Sequence, residues 1–439
     1  MKSTLYSLGF TLSLVVGCNA ALENKSQHEF TQALPAFEST LQPFTFSDSS
    51  SDYDAVKNYF EKKLVTRNFN GGILVAKGNS IIYEKYVGYT DLRTKDNAID
   101  AESPMHIASV SKNFAATAIL KLVQEGKLQL TDPLTNFFPN FPYEGITVQM
   151  LLSHRSGLPD YMHFLDNAGW DRNKQATNQD VLNSLYTLHP NVEFKAGTRF
   201  TYSNTNFVLA ALIIEKLSGL PYPEYMKKTF FEPLQMNDTY IADLNDLSTV
   251  TPSFEANGRY WKPDFLEGTY GDKNVYTTPR DLLKWTLALK HDQLIDQSML
   301  DAAFTPYSNE RPGVHNYGFG WRLLMLKNGK KIVYHNGRWH GTNAALAMLP
   351  EEDVTIIIIG NKFNSNIYNA ARNSYDIFGD YLHGGTVNED EEPVVRVHHH
   401  HYVKKSLAKR RSVKKAVAKK SPAGRHYTSS SGKVVAKRK

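Results

Sequence analysis

The chain has 439 residues, 41% of them hydrophobic and 12% aromatic, which excludes a wholly disordered or collagen-like polypeptide and allows a sizeable core. The formal charge of +6 hides a division: residues 404–439 carry fourteen Lys and Arg and no Asp or Glu, so residues 1–403 stand at −8. A single cysteine excludes an internal disulfide and a cysteine-built zinc site.

In chain order, Lys2 precedes an apolar stretch from Leu5 to Val16, too short to cross a bilayer and laid out like a secretory signal. It ends in Gly17-Cys18 and resembles the lipobox of bacterial lipoproteins, in which the cysteine becomes the lipidated first residue. Residues 1–17 are therefore expected to be removed, with Cys18 anchored to the membrane of an exported protein. Residues 18–51, rich in Ser, Gln, Glu and Thr, read as a tether. From residue 52 the pattern tightens: residues 53–60 have helical spacing, and 71–78 and 80–86 read as strands joined by a Gly-Asn turn. Residues 109–124, 206–217 and 280–291 are helical in spacing. Residues 344–349 and 354–359 form a second strand–turn–strand unit, and 366–382 predict a closing helix. Strands at both ends of a helical middle predict an α+β architecture whose sheet joins distant segments. The globular domain is expected over residues 52–385.

Three short motifs carry chemistry. Ser109 and Lys112, three residues apart at a helix start, lie on one face, with backbone N–H groups and the positive dipole end beside the hydroxyl. A desolvated lysine there can take the serine's proton. The same Ser-x-x-Lys spacing recurs at Ser406, Ser412 and Ser430, but only the Ser109 copy opens an apolar helix. Tyr202-Ser203-Asn204 falls between an extended segment and a helix, where a tyrosine can act as general base beside an ammonium group. His335-Asn336-Gly337 places a glycine on a strand edge that a ligand backbone can approach closely, and the next N–H can face a developing oxyanion.

Together and in this order, these motifs resemble the serine β-lactamase and penicillin-binding-protein superfamily, in its class C, D-Ala-D-Ala carboxypeptidase and esterase branch. The stretches 126–133, 146–158, 275–282 and 317–321 are similar to further blocks of that branch, so the likeness runs from about residue 55 to about 383. The resemblance implies a β-lactamase/transpeptidase-like fold, with an antiparallel sheet flanked by helices and an inserted, mostly helical subdomain. It implies that Ser109 is the nucleophile, Lys112 its base and Tyr202 the proton shuttle. Asn204 would bind substrate or orient Lys112, His335 and Gly337 would form the substrate-facing strand edge, and the N–H groups of Ser109 and Arg338 would form the oxyanion hole. It assigns His154 a structural role.

The third triplet departs from the family's Lys-Thr-Gly. Histidine is only partly charged near neutrality, which favours an esterase or D-Ala-D-Ala-type peptidase over a dedicated β-lactamase. A β-lactamase and a catalytically silent ligand- or cell-wall-binding relative stay open as alternatives. The expected partners are a small ester, peptide or β-lactam-like substrate and, through the lipid anchor, a membrane. Residues 386–439 form an acidic, then histidine-rich, then basic tail, expected to be disordered and able to attach to anionic envelope polymers. An exported chain meets little nucleic acid, so that partner is not expected. The tract His398-His399-His400-His401 has no fixed ligand geometry, and neither a metal centre nor a cofactor is expected.

Overall fold

A computed structural model describes residues 42–47, 52–310 and 312–382 of the chain. The expected signal peptide, Cys18, most of the tether and the tail 386–439 lie outside the described residues. No helix among the described residues is long and apolar enough to cross a membrane.

The described strands are β1 (Thr45–Phe46), β2 (Gly71–Lys77), β3 (Ser80–Val87), β4 (Met105–His106), β5 (Tyr240–Ile241) and β6 (Val275–Thr277), followed by β7 (His315–Tyr317), β8 (Arg322–Met325), β9 (Lys331–Trp339), β10 (Thr342–Leu349) and β11 (Val354–Gly360). Eight of them form one sheet in the order β1-β3-β2-β11-β10-β9-β8-β7, and β4-β6-β5 form a small second sheet. The two hairpins legible in the sequence meet at its centre, where β2 pairs antiparallel with β11. The expected antiparallel sheet needs one correction. Thr45 and Phe46, inside the stretch read as a tether, pair parallel with Ser80 and Ile81, making the sheet mixed at that edge.

Period-two alternation sorts each central strand between two cores. Ile357 and Ile359 of β11 face the helical side, with Leu74 and Leu346, while Ile356 and Ile358 face the other side with Ile73 and Val75. Full burial of each such side chain stabilises the fold by about 1.5–3 kcal/mol. The outer core is closed by the helices Tyr53–Phe60 and Asn366–Asn373. The larger core lies under Ser111–Gln124, Thr205–Ser218 and Pro279–Lys290. Thr205–Ser218 is buried on nearly every side, so its sequence lacks a polar stripe; Gly219, at φ 71°, ends it in the left-handed conformation glycine favours.

The closing helix is shorter than its apolar spacing predicts and stops at Asn373. Ser374 Oγ donates to the Ala371 carbonyl at 2.6 Å, and the Asp376 carboxylate accepts from the N–H groups of Tyr381 and Leu382. Those bonds turn the chain instead of continuing the helix.

Candidate active site

Ser109 does not lie inside its helix. It sits in the tight turn Ala108–Val110 between β4 and Ser111–Gln124. Ala108 adopts φ 48° there, a left-handed conformation costing an L-residue about 1–2 kcal/mol. Neighbouring segments hold the turn in place: Ile107 N–H donates to Val275 O at 3.0 Å, and Val275 N–H to Ser111 Oγ at 3.1 Å.

One helical turn on, Lys112 is fully buried. Its Nζ lies 3.2 Å from Ser109 Oγ, 2.8 Å from Asn204 Oδ1 and 2.9 Å from the carbonyl oxygen of Asp272. Asn204 occupies the N-cap position of Thr205–Ser218 yet makes no cap bond with its side chain. That amide is committed elsewhere: its Nδ2 donates to Asp160 Oδ2 at 2.7 Å, and its backbone N–H to the same oxygen at 3.0 Å. Asp160 thereby fixes the amide so that Oδ1 faces Lys112, while its other oxygen caps Tyr161–Asn167 through Met162 N–H.

Tyr202 completes the cluster. The centroid of its ring lies 5.0 Å from Lys112 Nζ and 5.4 Å from the guanidinium carbon of Arg322. His154 packs on it at 4.2 Å between ring centroids. His154 Nδ1 faces the N–H of Ser203 at 3.2 Å and the amide of Asn206 at 3.0 Å, so this histidine pins the Tyr202 loop. Burial, then Lys112, His335 and Arg322, push its pKa well below the usual histidine value.

The third motif differs in detail from its sequence reading. His335 is fully buried, and burial with the nearby Arg322 and Lys112 holds its pKa far down. It is therefore neutral, not the partial cation expected. Its Nδ1 donates to Asn336 O at 2.7 Å, and its Nε2 accepts from Tyr317 Oη at 3.1 Å. Gly337 is required by this protein's own backbone. A Cβ there would stand 2.1 Å from Ile107 O and 3.1 Å from Ser109 N. The last β8–β9 pair is Arg322 with Tyr334, so β9 from His335 onward, including Gly337 and Arg338, is not covered by β8. The Arg338 guanidinium turns to the Phe363 ring, at 4.8 Å.

Ser109, Lys112, Tyr202, Asn204, His335 and Gly337 thus come together. Sequence reasoning missed Asp160, Asp272 and Arg322. Asp160 follows the recognisable stretch 146–158 by two residues, and Arg322 follows 317–321 by one, which is the signal that was available. A separate cluster, Asp264, Glu267 and His340, brings three potential metal-ligating atoms within 4.8 Å of one another. Glu267 is already held by His340 Nε2 at 2.6 Å, Trp339 Nε1 at 3.0 Å and Asp264 N–H at 3.1 Å. The cluster closes on itself.

Comparison with known proteins gives a concordant result. The family model described as Beta-lactamase matches residues 56–379. The chain is similar to penicillin-binding protein 4* of Bacillus subtilis, with 32% identity over 72% of this chain and 73% of the relative. The structure is similar to that of the octameric penicillin-binding protein homologue from Pyrococcus abyssi, with a TM-score of 0.64 and 27% identity over 74% of this chain and 76% of that one. It is also similar to the D-amino acid amidase of Ochrobactrum anthropi SV3 complexed with L-phenylalanine amide, with a TM-score of 0.60 and 25% identity over 74% of this chain and the whole of that one.

Proposed function

We propose that this chain, which belongs to the Beta-lactamase family, is a serine hydrolase that cleaves a small amide or ester through an acyl-enzyme on Ser109. The observation that carries the reading is the set of acceptors around Lys112 Nζ. Asn204 Oδ1 and Asp272 O accept from Nζ at 2.8 and 2.9 Å and hold it 3.2 Å from Ser109 Oγ, within reach of the serine's proton. Ser109 Oγ attacks the substrate carbonyl carbon as its proton passes to Lys112. Tyr202, in contact with the same ammonium, delivers that proton to the leaving group. The N–H groups of Ser109 and Arg338 receive the oxyanion. Water then hydrolyses the acyl ester by the reverse proton path.

The names of the relatives, a penicillin-binding protein and a D-amino acid amidase, support an amide or peptide-type substrate, with a D-amino acid amide as one candidate; the ester rests on the sequence reading. His335 is neutral, so Arg322 is the permanent cation that we assign to a substrate carboxylate. Lipid attachment at Cys18 and electrostatic attachment through residues 404–439 belong to the same reading and rest on the sequence.

The test is labelling with a fluorophosphonate, followed by peptide mapping and a panel of p-nitrophenyl esters, D-phenylalanine amide, D-Ala-D-Ala peptides and nitrocefin. The adduct is expected on Ser109, and Ser109→Ala should lose both label and turnover while keeping its melting temperature. Labelling that persists in Ser109→Ala would overturn the assignment. A strong preference for nitrocefin would make the enzyme a β-lactamase.

A further inference from the structure

His106 lies outside the machinery above, yet it touches both segments that build it. The residue is buried at the end of β4, three positions before Ser109. Its Nδ1 lies 3.2 Å from the N–H of Ala108, the left-handed residue that precedes the proposed nucleophile. Its Nε2 lies 3.2 Å from Asn274 Oδ1 and 3.1 Å from Asn274 N. Asn274 is itself left-handed, at φ 73°, and ends the loop whose Asp272 carbonyl receives Lys112 Nζ. One imidazole therefore bridges two conformations that L-residues adopt at a cost, one beside Ser109 and the other beside the anchor of Lys112.

We propose that His106 is a positioning residue: as a neutral ring it locks the Ser109 turn to the 272–275 loop and so sets the distance between Ser109 Oγ and Lys112 Nζ. The inference rests on the acyl-enzyme reading given above. Protonated at Nε2, the ring accepts from Ala108 N–H and donates to Asn274 Oδ1; the other neutral tautomer accepts from Asn274 N–H. The imidazolium has no lone pair and accepts from neither, so a proton on His106 releases the clamp.

The surroundings favour the neutral ring. Burial pushes its pKa down to about 4, and Lys273 and His340 push the same way; Glu267 and the Asn274 side chain oppose them. The Tyr276 ring from β6 packs edge-on at 5.0 Å. The clamp should open on the acid side, well below the range in which a free histidine titrates.

The test is the pH profile of the rate at which Ser109 is phosphonylated by the fluorophosphonate, its Oγ bonding to phosphorus as fluoride leaves, for wild type, His106→Asn and His106→Leu, with reagent affinity and melting temperature measured in parallel. Asn presents an acceptor near the Nδ1 position and does not titrate. Near neutrality His106→Leu should be labelled about tenfold or more slowly with little change in reagent affinity, and His106→Asn should recover most of that loss. The wild-type rate should fall through an acid limb near pH 4 that His106→Asn lacks. Should His106→Leu fail to fold, the comparison of wild type with His106→Asn decides alone. An identical acid limb in those two, or a His106→Leu enzyme of full rate, overturns the role of His106 while Ser109 labelling stands. Absence of any adduct on wild-type Ser109 instead overturns the acyl-enzyme reading, and this inference with it.

Discussion

Three buried histidines make the fold sensitive to mild acid. Burial lowers the pKa of His106 to about 4 and holds those of His154 and His335 well below the usual value. In the unfolded chain each returns to about 6.5. A base with a depressed folded pKa gives stability that is present above 6.5 and is lost as pH falls towards the folded value, because the unfolded chain then binds the extra proton. At about pH 5.5 each unfolded imidazole is about nine-tenths protonated and its folded counterpart is nearly proton-free. For His106 that costs about 1–2 kcal/mol against a typical domain stability of about 5–15 kcal/mol, and His154 and His335 act in the same direction. Glu267, with its pKa lowered to about 2, loses its contribution only as pH falls from the ordinary carboxylate value towards about 2, outside this window. Asp238 and Asp264 have raised pKa values and act in the opposite sense, opposing the loss towards the acid end. Urea unfolding between about pH 7 and pH 5 should show stability falling with a slope of two to three protons taken up per molecule. A slope below one proton would refute the claim that these rings are held neutral.

Two further outcomes follow from the geometry. Gly337→Ala drives a methyl to within 2.1 Å of Ile107 O, so β9 must withdraw from the Ser109 turn; acylation should fall about 100-fold and stability by about 1–3 kcal/mol, and a full labelling rate would contradict the contact. Arg322→Gln should raise KM for a carboxylate-terminated peptide about tenfold while leaving that for a neutral ester unchanged, since the guanidinium and not His335 is the cation; equal effects on both substrates would count against that role.

Legibility followed the range of the interactions. The strands 71–77 and 354–360 and the helix carrying Lys112 announce themselves by local period, and Ser109 and Lys112 are only three residues apart in the chain. Tyr202 and His335 were found through their motifs, since nothing local brings them to Lys112. What escaped was held by tertiary contact alone. Asp272 enters through its backbone carbonyl, which any residue type offers. Arg322 reaches Tyr202 from the end of β8, a boundary visible only in the strand register. The overlong reading of 366–382 failed for a different reason, because side-chain bonds from Ser374 and Asp376 redirect a segment whose apolar spacing stays helical.

The charges around Tyr202 explain why a histidine can stand where the family's triplet has lysine. Lys112 and Arg322 both lie about 5 Å from the ring, on a strand and a helix that share no sequence neighbourhood. A lysine at 335 would add a fully buried cation beside the Arg322 guanidinium, at a desolvation cost that an ion of that kind does not recover without a partner. Neutral histidine avoids that cost and satisfies both nitrogens, donating to Asn336 O and accepting from Tyr317. The guanidinium in turn keeps its charge at every relevant pH, so the positive potential at Tyr202 does not follow the titration of either neighbouring imidazole. On the proposed reading the cation that meets a substrate carboxylate stands on β8, and His335 on β9 is part of the packing around Tyr202.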